Sequence, residues 1–135
     1  MTVTTDLLYE IAGEAMSIQR EKGPDHVESV YHDLLAARLR MKGHKVEYKP
    51  SIWMKDDLGV YIKKYQPDLR VHQQEVSVLV ELKASATHLS PADERQARAY
   101  LSVSPQDEAV LLLNFGHKPF EQKRVYQHRS EVRQA

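Results

Sequence analysis

The sequence contains no cysteine. This absence excludes disulfide bonds, thiol catalysis and cysteine-ligated zinc sites, and it favours a reducing, cytoplasmic environment. Long hydrophobic runs are missing as well. The longest all-apolar run, Ala109 to Leu113, is far short of the ~20 residues of a membrane span. The N-terminus lacks the basic segment and apolar run of a signal peptide, so we expect no membrane partner.

Neither sign of charge is in excess, because 19 basic residues balance 19 acidic ones. A global field attracting nucleic acid is therefore excluded, and any affinity for a polyanion must come from a local patch. No glycine-rich phosphate loop is present, which excludes a nucleotide cofactor. A chain of 135 residues, 41% of them hydrophobic, is long enough for one core, and we predict a single domain over residues 1–135.

Two helices are predicted in the first 43 residues, where apolar residues recur with helical spacing. The first covers about Asp6 to Lys22 and ends at Gly23-Pro24. The apolar stripe of the second helix comprises Val27, Val30, Tyr31, Leu34, Leu35 and Met41. After the second helix, apolar residues recur at every second position instead. Val46, Tyr48, Ile52 and Met54 alternate with polar residues and predict one half-buried strand.

The middle of the chain continues in strands. "DDLG" indicates a turn, and "VYIKKY" and "DLRV" follow as two strands or as one bent strand interrupted near Pro67. The stretch from Val76 to Lys83 is almost continuously apolar, as in a central strand covered on both faces.

Another helix is predicted to start at Ser90-Pro91, an N-cap followed by proline, and to reach about Val103. "AVLLLNF" predicts a further buried strand and "KRVYQ" a short edge strand. A helix between two buried strands implies a parallel crossover. The predicted fold is α/β, with a mixed central sheet flanked by helices.

Charged residues accompany the predicted central strand. Side chains alternate along a strand, so Glu81 and Lys83 share one face. If Asp68 begins an adjacent antiparallel strand, its carboxylate meets Glu81, and a divalent cation such as Mg²⁺ or Mn²⁺ relieves their repulsion. Lys83 would then lie beside a metal-bound water. An ordinary explanation is also available, since Pro-Asp is a common turn dipeptide and Glu-Leu-Lys suits a solvated strand end.

Two further groups of residues leave alternatives open. Glu28 lies near the buried stripe of its helix, yet "DHVE" also matches a capping box in which Glu28 reaches back to Asp25. In the third helix Gln96 and Tyr100 share an inward face, although an inward Gln can simply bond to a backbone carbonyl. Glu94 and Arg98 form an expected exposed pair.

The C-terminal segment is rich in basic residues and is the best candidate for a phosphate-tracking patch, with Lys123, Arg124 and Arg129 as nucleic-acid contacts. Terminal charge runs are also commonly just solvated. The seven histidines are scattered and lack the paired spacing of a zinc site.

The sequence resembles the GxxExxY family, a branch of the PD-(D/E)XK nuclease superfamily. The similarity covers about Asp6 to Tyr126 and is carried by five blocks in the family's order: "GPDHVESVYHDLLAARL", "QPDL", "VELKA", "ERQARAYL" and "VLLLNFG". One position departs from the family pattern, because the glycine three residues before the glutamate is Asp25 here. This difference favours the capping-box interpretation of the loop.

The resemblance implies a restriction-endonuclease-like αβββαβ core and a defined site. Asp68, Glu81 and the backbone carbonyl of Leu82 would bind Mg²⁺, with Mn²⁺ as an alternative. Lys83 would position and activate the attacking water, and Glu28 would reach the metal directly or through water. Gln96 and Tyr100 match the family's Q-x-x-x-Y signature, which helps to set the active site or contacts DNA.

The resulting expectation is a Mg²⁺-dependent nuclease that hydrolyses DNA with a metal-activated water. The main rival is a catalytically inactive module that binds nucleic acid or protein on the same fold. A third hypothesis is an assembly protein whose acids are ion-paired at a homodimer interface.

Overall fold

The chain forms a five-stranded mixed sheet with helices on both faces. The computed structural model describes residues 2–128. The helices are α1 (Val3–Lys22), α2 (Glu28–Met41) and α3 (Pro91–Val103). The strands are β1 (Lys45–Tyr48), β2 (Ile52–Lys55), β3 (Tyr61–Tyr65), β4 (Leu69–Gln73), β5 (Val76–Lys83), β6 (Asp107–Asn114) and β7 (Glu121–Tyr126). None of the helices in the described region is long and apolar enough to cross a bilayer.

The strand order in the main sheet is β1-β4-β5-β6-β7, which puts β5 at the centre. β5 and β6 pair in parallel through the α3 crossover, whereas the other neighbours are antiparallel. Read in chain order, α2, β1, β4, β5, α3 and β6 give the αβββαβ core that was predicted. The central strand, the parallel crossover and the edge strand β7 are confirmed.

Two hydrophobic cores lie on opposite faces of the sheet. One is formed by α1 and α2 over Val78, Val80 and Leu82 of β5. On the other face α3 packs over Leu79. The period-two alternation of β5 therefore sets which of its residues face α3, and Glu81 and Lys83 follow Leu79 onto that face. The predicted sharing of a face is confirmed.

The single half-buried strand predicted across residues 45–54 is wrong. Lys49 has a φ of 47° and turns the chain out of the main sheet after β1. β2 then pairs with β3 in a separate two-stranded sheet. The alternative of one bent strand near Pro67 is wrong for the same reason, because β3 and β4 belong to different sheets. Period-two spacing identifies strands but not the sheet that they join.

The apolar stripe of α2 is shorter than predicted. Val27 and Met41, at its two ends, are 68% and 87% exposed. The buried residues are confined to the middle of the helix and include Tyr31 and Leu35.

The capping box predicted for the start of α2 is also absent. Val27 occupies the N-cap and makes no side-chain cap bond. Instead, the buried Tyr31 hydroxyl donates to the Gly23 carbonyl at 2.6 Å and accepts from the His26 amide at 3.0 Å. A side chain one turn into the helix therefore holds the loop that leads to Glu28.

A close contact joins the ends of β5 and β6. The buried Asn114 Oδ1 accepts hydrogen bonds from the amides of Ser85 and Gly116, both at 3.1 Å. A Cβ added at Gly116 would stand 2.4 Å from the Ser85 nitrogen and 2.5 Å from the Ala84 carbonyl carbon. Only glycine permits this backbone approach, which fixes the chain just beyond Lys83.

We expect Gly116→Ala to destabilise the fold by at least about 1–3 kcal/mol, because the opposing atoms are backbone and cannot rotate away. Gly13→Ala is the matched control. Gly13 lies inside α1 with nothing within 4 Å of an added Cβ, so the change should stabilise by roughly 0.5–1 kcal/mol. Urea unfolding measures both, and equal effects of the two variants would contradict the packing argument.

Candidate active site

Asp68 and Glu81 meet at one end of the paired strands β4 and β5 in the main sheet. Leu69 of β4 pairs with Val80 of β5, and this register brings the residue before β4 opposite Glu81. The Asp68 amide donates to Glu81 Oε1 at 3.1 Å, and the Leu82 amide donates to Asp68 Oδ2 at 2.8 Å. Two carboxylates and the Leu82 peptide are thus held together by backbone hydrogen bonds.

Tyr100 of α3 completes the environment of Glu81. It is 3% exposed, and its hydroxyl donates to Glu81 Oε2 at 3.1 Å. Tyr100 therefore lies inward, where the spacing of α3 placed it. Burial, followed by the charge of Glu81, raises the pKa of this phenol well above its usual range. It remains a hydrogen-bond donor at any physiological pH.

Glu81 is the carboxyl of the site whose pKa is shifted most. Burial, followed by the nearby charge of Asp68, raises its pKa from 4.5 to about 8, while the Lys83 charge acts in the opposite direction. A carboxyl at 8% exposure with an acid as its nearest charged neighbour is costly to ionise. Perturbed carboxyls of this kind are concentrated at functional sites.

Lys83 follows Glu81 on the same face, and its amine is steadied by α3. Lys83 Nζ lies 3.7 Å from Asp93 Oδ1. Asp93 also accepts from the Ser90 amide at 2.8 Å in the capping box that starts α3. The predicted start of α3 at Ser90-Pro91 is confirmed. The role of its third residue, Asp93, as the partner of Lys83 was missed, although the spacing Ser-Pro-x-Asp signals the capping box.

Glu28 is the first residue of α2 and points toward the same cluster. Partial burial and the charge of Asp68 raise the pKa of Glu28, whereas Lys83 and His32 lower it. Asp68 and Lys83 are among the residues that the resemblance assigns to the site. Because the expected capping bond to Asp25 is absent, the Glu28 carboxylate is not engaged by the loop before it.

His32 is a site residue that sequence reasoning missed. It is 2% exposed, stacks on Tyr48 at 4.2 Å between ring centroids, and its Nε2 lies 2.8 Å from the Asp68 carbonyl oxygen. A carbonyl only accepts, so Nε2 carries the proton. The Lys49 amide donates to the same oxygen at 2.8 Å. His32 thereby fixes the backbone of Asp68, and a lone histidine on an apolar helix face was its only signal.

Gln96 does not lie where it was predicted. It is exposed on α3, whose buried residues are Ala97, Tyr100 and Leu101. The helix turns Ala97 rather than Gln96 toward the sheet, so the inward orientation of Gln96 is wrong. The expected pair of Glu94 with Arg98 is not observed either, because Glu94 Oε2 contacts Lys123 Nζ at 3.1 Å.

Two of the three residues predicted as nucleic-acid contacts lie in the described part of the chain. Lys123 and Arg124 lie on the edge strand β7, where Lys123 is paired with Glu94 and Arg124 Nη1 contacts the Tyr126 hydroxyl at 3.5 Å. Arg129 lies outside the described residues. An acid on α3 thus compensates the charge of Lys123.

The arrangement suits a hard divalent cation. The carboxylates of Asp68 and Glu81 and the backbone carbonyl of Leu82 are oxygen ligands, which Mg²⁺ and Mn²⁺ prefer. Burial, followed by the nearby charge of Asp68, raises the pKa of Glu81, and a cation between the two carboxyls would offset the repulsion between them. The residues present therefore fit a metal-assisted hydrolytic site.

The comparison with curated proteins gives no match. Among solved structures, the crystal structure of SSO0001 superposes with a TM-score of 0.57 at 16% identity, covering 78% of this chain and 52% of that one. This chain therefore spans about half the length of SSO0001, and the likeness concerns the fold alone.

A protein-family model matches residues 5–126. That range contains both acids, the lysine and the whole αβββαβ core described above. The chain belongs to the PD-(D/E)XK nuclease superfamily.

Proposed function

We propose that the protein is a divalent-metal-dependent nuclease of the GxxExxY type that hydrolyses phosphodiester bonds of DNA with water. The observation that carries the proposal is the meeting of Asp68, Glu81 and the Leu82 peptide beside Lys83 on one face of the central strand. Membership of a nuclease superfamily supports the reaction class. Metal dependence, the DNA substrate and the GxxExxY assignment are the proposed refinements.

The roles proposed for the residues are those that the family resemblance implies. Asp68, Glu81 and the Leu82 carbonyl would hold Mg²⁺ or Mn²⁺, and Glu28 would add an outer acid. A bound ion supplies Lewis-acid chemistry that polarises the phosphate and lowers the pKa of water. Lys83 would place an ammonium at the same cleft to orient the attacking water or, in its deprotonated form, an amine to accept the proton of that water.

Tyr100 has a supporting role in the proposed reaction. Its hydroxyl occupies Glu81 Oε2 at 3.1 Å, which leaves the carboxylate little rotational freedom. Fixing the orientation of a charged group before substrate arrives lowers the reorganisation needed during the reaction. Gln96 is exposed on α3, so a contact with the substrate is the role that we propose for it.

An exposed hairpin offers a surface for the nucleic acid. Trp53 of β2 and Tyr61 of β3 are 45% and 58% exposed and meet edge to face at 5.0 Å between ring centroids. Lys64 lies over the Trp53 ring at 5.9 Å and Lys55 over the Tyr61 ring at 4.6 Å. Interleaved aromatic and cationic groups are typical of surfaces that stack bases and neutralise phosphates.

The hairpin is joined to the site at its base. Tyr65, the last residue of β3, packs edge to face on Tyr100 at 5.9 Å between ring centroids. Ile52, its strand partner, lies in the same core as Tyr100. Through Tyr65 the hairpin therefore contacts the residue that bonds to Glu81.

A non-catalytic binding module on the same fold is the second candidate. It is favoured by the net charge of zero and by the Lys123–Glu94 pair, which together leave little long-range attraction for DNA. Such a module needs neither a bound metal nor Lys83, and the experiments below separate the two.

Lys83→Ala should abolish Mg²⁺-dependent cleavage of plasmid and linear DNA while leaving the fold intact. Loss of a group that transfers protons in the transition state costs about 10²–10⁴-fold in rate. Lys42→Ala is the matched control, because Lys42 is also ion-paired, to Glu14 at 2.7 Å, but lies at the end of α2. Cleavage that survives in Lys83→Ala at the wild-type rate would end the nuclease proposal.

The metal-free protein should lose stability as pH rises from about 4.5 to about 8. The raised pKa of Glu81 means that the folded state binds a proton which the unfolded state releases, so unfolding becomes easier across that window. Mg²⁺ should accordingly stabilise the protein more at pH 8 than at pH 6.

Chemical denaturation at both pH values, with and without Mg²⁺, measures this effect. Glu81→Gln keeps an acceptor for the Tyr100 hydroxyl and should flatten both dependences. A wild-type protein whose stability ignores Mg²⁺ at pH 8 would favour the non-catalytic module.

Replacing Trp53 and Lys64 together by alanine should weaken binding of single-stranded DNA. Loss of one stacking aromatic costs about 1–3 kcal/mol, and the lysine change should reduce the salt dependence of binding. Fluorescence anisotropy in the Lys83→Ala background avoids cleavage during the measurement. Lys45→Ala, at the opposite end of the sheet, is the control. Equal affinities of the two variants would exclude the hairpin as a DNA contact.

A further inference from the structure

Three potential metal ligands meet outside the carboxylate site. His88 precedes α3, His117 follows β6, and Glu121 is the first residue of β7. One ligand atom from each lies within 4.8 Å of the others. The two imidazole rings are 4.2 Å apart at their centroids, and His88 Nδ1 lies 2.7 Å from Glu121 Oε2. Histidines that look scattered in the sequence are thus neighbours in the fold.

The contacts of His117 leave one of its ring nitrogens available to bind a metal. His117 Nδ1 lies 2.8 Å from the Pro119 carbonyl oxygen, and since a carbonyl only accepts, Nδ1 carries the proton. Nε2 of the neutral ring then bears a free lone pair. Metal-binding histidines commonly donate their other ring N–H to a backbone carbonyl, which fixes the tautomer and the ring orientation. The backbone at His117 is itself held by Gln19 Nε2 at 2.8 Å.

Glu121 is oriented in the same manner. Its Oε1 accepts from the Leu89 amide at 3.0 Å and from Asn114 Nδ2 at 3.4 Å. Oε2 is thereby turned toward the histidines. The hydrogen bond from His88 and these further donors hold the pKa of Glu121 below its usual value, so the group is an anion at neutral pH.

We propose that His88, His117 and Glu121 form a site for a divalent transition-metal ion of the Zn²⁺ class. Two imidazoles and one carboxylate are ligands that Zn²⁺ accepts and that Mg²⁺ does not favour. Tetrahedral bonds of about 2.0–2.1 Å space such ligands about 3.3 Å apart. The separations here require small side-chain rotations, and the His88 side chain, 76% exposed, is free to make them.

The location gives the ion a function. His88 lines a cavity of about 280 Å³ together with Lys83 and Asp93. A metal held there cross-links the loop of residues 84–90 to the loop of residues 115–120 at the rim of this cavity. Three protein ligands leave a fourth position for water or an anionic oxygen. The site therefore stiffens the edge of the cleft next to Lys83 and is distinct from the Asp68 and Glu81 pair.

The experiment is a titration of the metal-stripped full chain with Zn²⁺ by calorimetry, in excess Mg²⁺ to mask the carboxylate site. We expect one Zn²⁺ per chain and a rise in Tm. His117→Ala and, separately, His88→Ala should weaken Zn²⁺ binding by more than the about 10–100-fold that loss of an outer-shell partner costs. Asp68→Asn and His128→Ala, the latter an exposed histidine outside the cluster, should leave it unchanged.

Co²⁺ provides an independent readout, because four-coordinate Co²⁺ absorbs visible light far more strongly than the six-coordinate ion. The wild-type protein should develop these bands and the His88→Ala protein should not. Since His88 is exposed, this variant does not endanger the fold. Zn²⁺ binding that is absent in the wild type, unaffected by both histidine changes or lost in Asp68→Asn would overturn the assignment. None of these outcomes depends on whether the protein cleaves DNA.

Discussion

The whole site depends on two reciprocal hydrogen bonds between the start of β4 and the end of β5. The Asp68 amide bonds to the side chain of Glu81, and the amide after Glu81 bonds to the side chain of Asp68. Each acid thus accepts a hydrogen bond from the other's part of the backbone, which holds the buried Glu81 and the half-buried Asp68 together despite the repulsion between their charges. His32 and Lys49 hold the Asp68 carbonyl from the opposite side. Removing the strand pairing would let both charges move into water, and the cleft would lose its chemistry.

The two faces of the sheet make different contributions to the site. The helices α1 and α2 bury one face in an apolar core, which provides the rigidity that a precisely spaced charge cluster requires. On the other face α3 contributes three separate groups: Asp93 beside Lys83, the Tyr100 hydroxyl on Glu81, and Glu94 opposite Lys123. The inserted hairpin leans on this second face through Tyr65. The polar cluster and its supporting core therefore lie on opposite sides of one strand.

Sequence patterns predicted the features that depend on local chemistry. Alternation in β5 correctly assigned Glu81 and Lys83 to one face, and Ser90-Pro91 located the start of α3. Patterns did not predict features determined by distant contacts. Whether residues 52–55 continued β1 depended on the backbone turn at Lys49, and the exposure of Gln96 depended on the rotation of α3 about Ala97. The meeting of His88 with His117 requires the order of β5, β6 and β7, which no local spacing encodes.

The edge-to-face contact of Tyr65 and Tyr100 has a consequence for how Glu81 is held. Tyr65 ends the hairpin, and Tyr100 donates the hydrogen bond that orients Glu81. A displacement of the Tyr65 ring would remove a packing neighbour of the phenol that bonds to the carboxylate. The position of the hairpin therefore bears on the hydrogen bond that orients Glu81, through two aromatic rings.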